Sequence, residues 1–129
     1  MASEQLKTVL ELVGGADLGT LTLQERRALM DSAGTPPPEG TRIDPVDANG
    51  VTAEWVVAAG ATGERVILFL HGGAYHLGSP TRLRGLLALV SAAAQARVLS
   101  VGYRLAPEHP FPAAVEDALS AYRWLIADG

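Results

Sequence analysis

Val66-Ile67-Leu68-Phe69-Leu70-His71-Gly72-Gly73-Ala74-Tyr75-His76-Leu77-Gly78 runs from five apolar residues straight into a glycine-rich loop. A continuously apolar run is expected of a strand covered on both faces in an α/β sheet. Where such a strand ends in glycines, backbone N–H groups can converge on one oxygen without a side chain in the way. That suits the oxyanion of acyl transfer. A tight strand-to-helix turn, using glycine only for its backbone freedom, fits the same residues. A phosphate cradle fits poorly, because the chain has no G-x-x-x-x-G-K-[ST] and these glycines do not match G-x-G-x-x-G.

Downstream of the loop, Ser79-Pro80 has the form of an N-cap followed by proline at the first helical position. Leu83, Leu86, Leu87, Val90 and Ala94 then form the expected buried stripe of a helix, and Val98–Val101 the next strand. Together these predict a strand–helix–strand unit of the right-handed crossover type. The proline-rich segment Leu105 to Pro112 is rigid, and leads to a last helix with Val115, Ala118, Leu119, Tyr122 and Ile126 on one face. Upstream, Asn49-Gly50 between Ile43–Asp47 and Val51–Val57 predicts a hairpin.

The first 40 residues read differently. Leu6, Val9, Leu10 and Val13 share one face of a short helix that Ser3 caps and Gly14-Gly15 ends. Thr22 and Glu25 have capping-box spacing, predicting a second helix to about Ser32. Gly34 and Pro36-Pro37-Pro38 break it and make a stiff linker. The expected organisation is a helical segment over 1–40 and an α/β domain over 41–129. The segment is either a plain arm packed on the domain or a part that faces substrate.

A chain of 129 residues suits one domain and buries roughly two thirds of its unfolded surface. With 19% charged and 48% hydrophobic residues, the composition is globular. The net charge of −4 comes with no basic cluster, against a nucleic-acid footprint. Absence of cysteine excludes disulfides and thiolate metal sites. No apolar run approaches the ~18 residues of a membrane span. Met1-Ala2-Ser3-Glu4-Gln5 lacks the features of a signal peptide, so a cytoplasmic location is the expectation.

His71, His76 and His109 are the only candidates for a histidine metal site. Glycine neighbours and the lack of a nearby carboxylate in the first loop argue against it, so no metal is expected. A ring hydrogen bond from His71 to backbone, holding the loop's shape, is the better expectation. Arg104, Glu108 and Asp117 are expected to form an ion-pair network that fixes the proline loop to the last helix.

Taken together, His71-Gly72-Gly73-Ala74-Tyr75 and Gly102-Tyr103-Arg104-Leu105-Ala106-Pro107-Glu108-His109-Pro110-Phe111-Pro112-Ala113 resemble the hormone-sensitive-lipase family of α/β-hydrolases, bacterial family IV esterases and lipases. The resemblance covers about residues 42–129, and the N-terminal helices are similar to part of that family's cap. It implies an oxyanion hole whose donors are the N–H groups of Gly73 and Ala74, with His71 shaping the loop. Tyr75 and His76 would line the acyl or alcohol pocket of a small ester substrate, and neither a metal nor an organic cofactor is implied. Alanine stands where the family motif HGGG has its third glycine; it keeps the N–H and calls for an ordinary backbone conformation.

The resemblance also implies a serine on a G-x-S-x-G elbow, then an acid and a histidine. No G-x-S-x-G occurs; the nearest imitation, Val98-Leu99-Ser100-Val101-Gly102, leads into a proline loop, so Ser100 reads as an ordinary strand residue. The expectation is therefore the N-terminal half of an α/β-hydrolase sheet: about four strands in order 1-2-4-3, helices on both faces, and a triad lying beyond a truncated chain. In that arrangement Arg65–Leu70 becomes a bare, apolar edge prone to self-association. The alternative is a non-catalytic interaction module that docks through this edge.

Overall fold

A computed structural model describes residues 3–8 and 19–128. Residues 4–8 are helical, and the Ser3 Oγ accepts the Leu6 N–H at 3.2 Å as their cap. Val9, Leu10, Val13 and the Gly14-Gly15 stop lie outside the described residues. The expected capping box is closed: Thr22 Oγ1 accepts the Glu25 N–H at 3.3 Å, and the Glu25 carboxylate accepts the Thr22 N–H at 2.7 Å. It starts α1 (Leu23–Ser32), none of whose residues is fully buried.

The hairpin forms as its sequence dictates. β1 (Arg42–Asp47) and β2 (Thr52–Val57) pair antiparallel across a turn in which Ala48 N–H donates to Val51 O at 2.8 Å. Asn49 (φ 59°) and Gly50 (φ 84°) both take the left-handed backbone that a two-residue hairpin demands. β4 (Ala96–Val101) runs antiparallel to β2, and β3 (Arg65–Leu70) lies parallel to β4. The sheet order is β1-β2-β4-β3, the order the resemblance implied.

β3 is covered only in part: Ile67 and Phe69 pack into the apolar layer on one face and Leu68 into that on the other, whereas Val66 is 38% and Leu70 45% exposed. Among the described residues β4 is its one neighbour, so the strand is the sheet's edge, as expected.

The crossover differs in detail from the sequence pattern. Ser79-Pro80 leads first into a 3₁₀ turn (Thr81–Leu83), with Ser79 Oγ accepting the Arg82 N–H at 3.4 Å, and only then into α2 (Arg84–Ala94). Gly85, Leu87, Ala88 and Ser91 are buried, whereas Leu86, expected in the buried stripe, is exposed. The buried face of the helix is set by Gly85, Ala88 and Ser91, with the linker carbonyls of Thr35 and Pro36 closing on Gly85 where a Cβ would stand, and Leu86 lies on the other side of the helix.

Two apolar layers flank the sheet, as the period-2 alternation of strand side chains requires. Val56, Val98, Leu87 and Ala88 pack beneath α2. On the opposite face Ala53, Leu99, Val101 and Tyr103 pack with Ala121 of α3 (Ala113–Asp128), flanked by Trp124 and Leu125. The stripe Val115, Leu119, Tyr122 and Ile126 does share one face of α3, but that face points outward and is between 43% and 67% exposed. Among the described residues no helix is long and apolar enough to cross a membrane.

Candidate active site

β3 delivers the chain to a turn that only glycine can make at two points. At Gly73 (φ 134°) a Cβ would overlap the Leu77 carbonyl; at Gly78 (φ 89°) it would strike the Gly72 carbonyl and stand 2.7 Å from His71 Nδ1. At Gly72 it would meet nothing within 4 Å. The Gly73 carbonyl accepts the N–H groups of His76 (3.1 Å) and Leu77 (2.9 Å), so residues 73–77 form one closed unit. The N–H groups of Gly72, Gly73 and Ala74 donate to no acceptor among the described residues. These three residues line a cleft of about 640 Å³, with Leu70, Tyr75 and the outward face of α3 as its other walls.

His71 and Tyr103 support the loop from below. The buried imidazole stacks on the Tyr103 ring, centroids 4.2 Å apart and planes 12° from parallel. His71 Nδ1 lies 2.9 Å from the Gly72 carbonyl, which can only accept, so Nδ1 carries the proton. The Tyr103 hydroxyl donates to the His71 carbonyl, and burial pushes its pKa up, keeping it a donor. The expected backbone bond of His71 is thus present. Among the described residues no group of three His, Cys, Asp or Glu side chains is placed to hold a metal ion.

The structure separates the two residues expected to line the pocket. Tyr75 does line the cleft. His76 does not, because its ring folds back to bond the Ala74 carbonyl through Nδ1 at 2.9 Å.

The proline loop is held by two arginines rather than one. Arg104 binds Asp117 at 2.7 Å, as expected, and Glu116 at 3.5 Å. Glu108 does not join them; it pairs with Arg27 of α1 at 2.7 and 2.9 Å. Arg104 and Glu108 point to opposite sides of the loop, so one network becomes two. The Arg27 hydrogen bonds hold the Glu108 carboxyl at a pKa of about 2, against 4.5 ordinarily. A pKa depressed by folding means that the pair contributes fully above about pH 4.5 and is lost as pH falls through about 2. A carbon-13 titration of the Glu108 carboxyl should therefore show its midpoint near 2, and Arg27→Gln should return it towards 4.5. The pair is partly exposed, so added salt will weaken it.

Residues 67–129 match the profile of the alpha/beta hydrolase fold. The whole chain is similar to an acetyl-hydrolase of Streptomyces hygroscopicus, 41% identical over 100% of this chain and 44% of that protein. An esterase of Acinetobacter venetianus is 36% identical over 68% of this chain and 29% of its own length. A crystal structure of an esterase from the bacterial hormone-sensitive lipase family superposes with a TM-score of 0.88 at 40% identity, covering 100% of this chain and 44% of that one. The chain belongs to the hormone-sensitive-lipase family of α/β-hydrolases. It spans less than half the length of these relatives.

Within this family's glycine motif the alanine behaves unexpectedly. Ala74 does not take an ordinary backbone conformation: its φ is +51°, and Tyr75 follows at +63°. The left-handed turn that lets Gly73 receive two N–H groups continues through both, and side-chain residues occupy that region at a penalty of roughly 1–2 kcal/mol each. Ala74→Gly should relieve that strain while keeping the N–H. After the greater chain entropy of unfolded glycine is subtracted, a gain of roughly 0.5–1 kcal/mol in urea unfolding is expected.

Ser100 lies in β4, fully buried and with no partner for its hydroxyl among the described residues, away from the cleft. Two residues that shape this loop carry little signal in the sequence. Tyr103 stands out only as part of a motif, although a tyrosine at the end of a central strand is a signal for a buried aromatic support. Arg27 carried no signal beyond a charge on a polar helix.

Proposed function

We propose that these residues carry the oxyanion side of a carboxylic-ester hydrolase site. The Gly73 and Ala74 N–H groups would donate to the ester carbonyl oxygen as it becomes tetrahedral and anionic, each worth about 3 kcal/mol of barrier. His71 and Tyr103 hold those donors in place, Tyr75 bounds the substrate, and the N-terminal segment would serve as part of a cap. The serine, acid and histidine come from a segment other than these 129 residues, in which G-x-S-x-G does not occur. Such a segment would add its strand to the free edge of β3, bringing the serine beneath the loop. The chemistry needs neither metal nor organic cofactor.

The observation that carries the proposal is the row of N–H groups at Gly72, Gly73 and Ala74 without acceptors among the described residues, in the wall of a largely apolar cleft. The esterase and acetyl-hydrolase names of its relatives support it. The test is a nitrogen-15 NMR titration with butylphosphonate, a tetrahedral anion on a short alkyl chain. The largest saturable shifts should fall on Gly73 and Ala74; shifts centred elsewhere, or none, would refute the assignment.

A second reading rests on the exposed apolar edge of β3. There the chain is a non-catalytic module that associates by strand addition, with itself or a partner. It expects the phosphonate to leave Gly73 and Ala74 unmoved.

A further inference from the structure

We infer that Arg27 is a positioning residue for the glycine loop, its guanidinium clamping the His76 and Ala106 carbonyls together and so setting the direction of the Gly73 and Ala74 N–H groups. The inference rests on the oxyanion role proposed above for those two groups.

Arg27 reaches across three segments that are far apart in sequence. Its Nε donates to the His76 carbonyl and one terminal nitrogen to the Ala106 carbonyl, both at 2.9 Å. The Glu108 carboxylate takes both terminal nitrogens at 2.7 and 2.9 Å, which fixes the plane of the guanidinium. A fork with donors in fixed directions can serve two carbonyls and a carboxylate at once; a lysine ammonium, as a single point of charge, cannot.

The force of this contact lies in what His76 is joined to. Its N–H donates to the Gly73 carbonyl, so a hold on the His76 carbonyl is transmitted to Gly73 through the closed unit 73–77. The Ala106 N–H binds the Tyr75 carbonyl at 2.8 Å, so Arg27 also ties down the segment that anchors Tyr75. Ala74 and Tyr75 sit in left-handed conformations that residues with side chains seldom keep unless their surroundings impose them. Tyr103 fixes one end of the loop at His71, and Arg27 fixes the other. α1 thereby acts on the loop through Arg27, although it buries no residue of its own; its Asp31, which accepts the Ser79 hydroxyl at 2.7 Å, touches the chain only beyond Gly78.

The test compares the 129-residue chain with Arg27→Lys and Glu108→Gln by amide NMR, with and without butylphosphonate. Arg27→Lys should displace the Gly73 and Ala74 resonances of the free protein and weaken phosphonate binding about tenfold. Glu108→Gln keeps both carbonyl contacts and should weaken binding only about twofold. A purely structural role would lower the melting midpoint and leave the folded protein's affinity unchanged. Unchanged Gly73 and Ala74 resonances in Arg27→Lys overturn the inference, whatever the phosphonate does. So does equal affinity of the two proteins. Failure of the unmutated chain to bind phosphonate at these residues refutes the oxyanion assignment instead, and the free-protein resonances still decide for or against the clamp. If Arg27→Lys does not fold, Glu108→Gln carries the test, and unaltered affinity and resonances there count against it.

Discussion

Gly73→Ala is expected to destroy the loop, while Gly72→Ala, one residue away, leaves it intact. A methyl group at 73 overlaps the Leu77 carbonyl, part of the same closed turn, and φ 134° lies where only glycine is at ease. Neither obstacle yields to a side-chain rotation, because the obstructing atom is backbone. The loss should be roughly 3 kcal/mol in urea unfolding, within the range for strained backbone combined with a steric clash. At Gly72 an added methyl meets nothing within 4 Å. Its effect should stay within about 0.5 kcal/mol. Adjacent glycines with such different tolerance separate a loop of specific shape from one that is merely flexible. If both substitutions behaved alike, the turn drawn here would be wrong.

The second large effect concerns association. Val66 and Leu70 are exposed at the β3 edge, Leu70 shares a cleft with Leu119 and Tyr122 of α3, and Ile126 is exposed on the same helix face, beside a strand with only β4 as neighbour among the described residues. Natural sheets guard such edges with charge, proline or a covering element, and Val66–Leu70 has neither charge nor proline. The 129-residue chain should therefore self-associate, seen as a rise in weight-average sedimentation coefficient across the micromolar range. Val66→Lys combined with Ile126→Lys should weaken that association by about 100-fold, each lysine removing roughly 1.4 kcal/mol of buried apolar contact. Because both positions are exposed in the single chain, its own stability should change by no more than about 0.5 kcal/mol each. A monomeric, cooperatively melting protein at all concentrations would show that this surface is not a liability.

The features legible in the sequence were those set by near neighbours. Thr22 with Glu25, and Asn49 with Gly50, encode their cap and turn within four residues, and both form as read. The sheet order followed from resemblance, since no local pattern tells β4 to insert between β2 and β3. Periodicity placed Val115, Leu119, Tyr122 and Ile126 on one face of α3 but carried no information about what covers that face. Residue type argues for negative φ at Ala74, whereas the double acceptance at the Gly73 carbonyl dictates otherwise. The partner of Glu108 lies 81 residues away, beyond the reach of any local pattern. Sequence proximity favoured Arg104; the fold favoured Arg27.

The most direct test of the oxyanion assignment is turnover in a chimaera. These 129 residues would replace the corresponding N-terminal part of the Streptomyces hygroscopicus acetyl-hydrolase, which is 41% identical over the whole of this chain. With p-nitrophenyl acetate as substrate, the chimaera should hydrolyse the ester. Gly73→Ala keeps its own N–H but distorts the turn that aims both donors, so it should lower kcat by at least about 10²–10³, the loss associated with one oxyanion donor. A folded, active chimaera whose kcat is indifferent to Gly73→Ala would contradict the assignment.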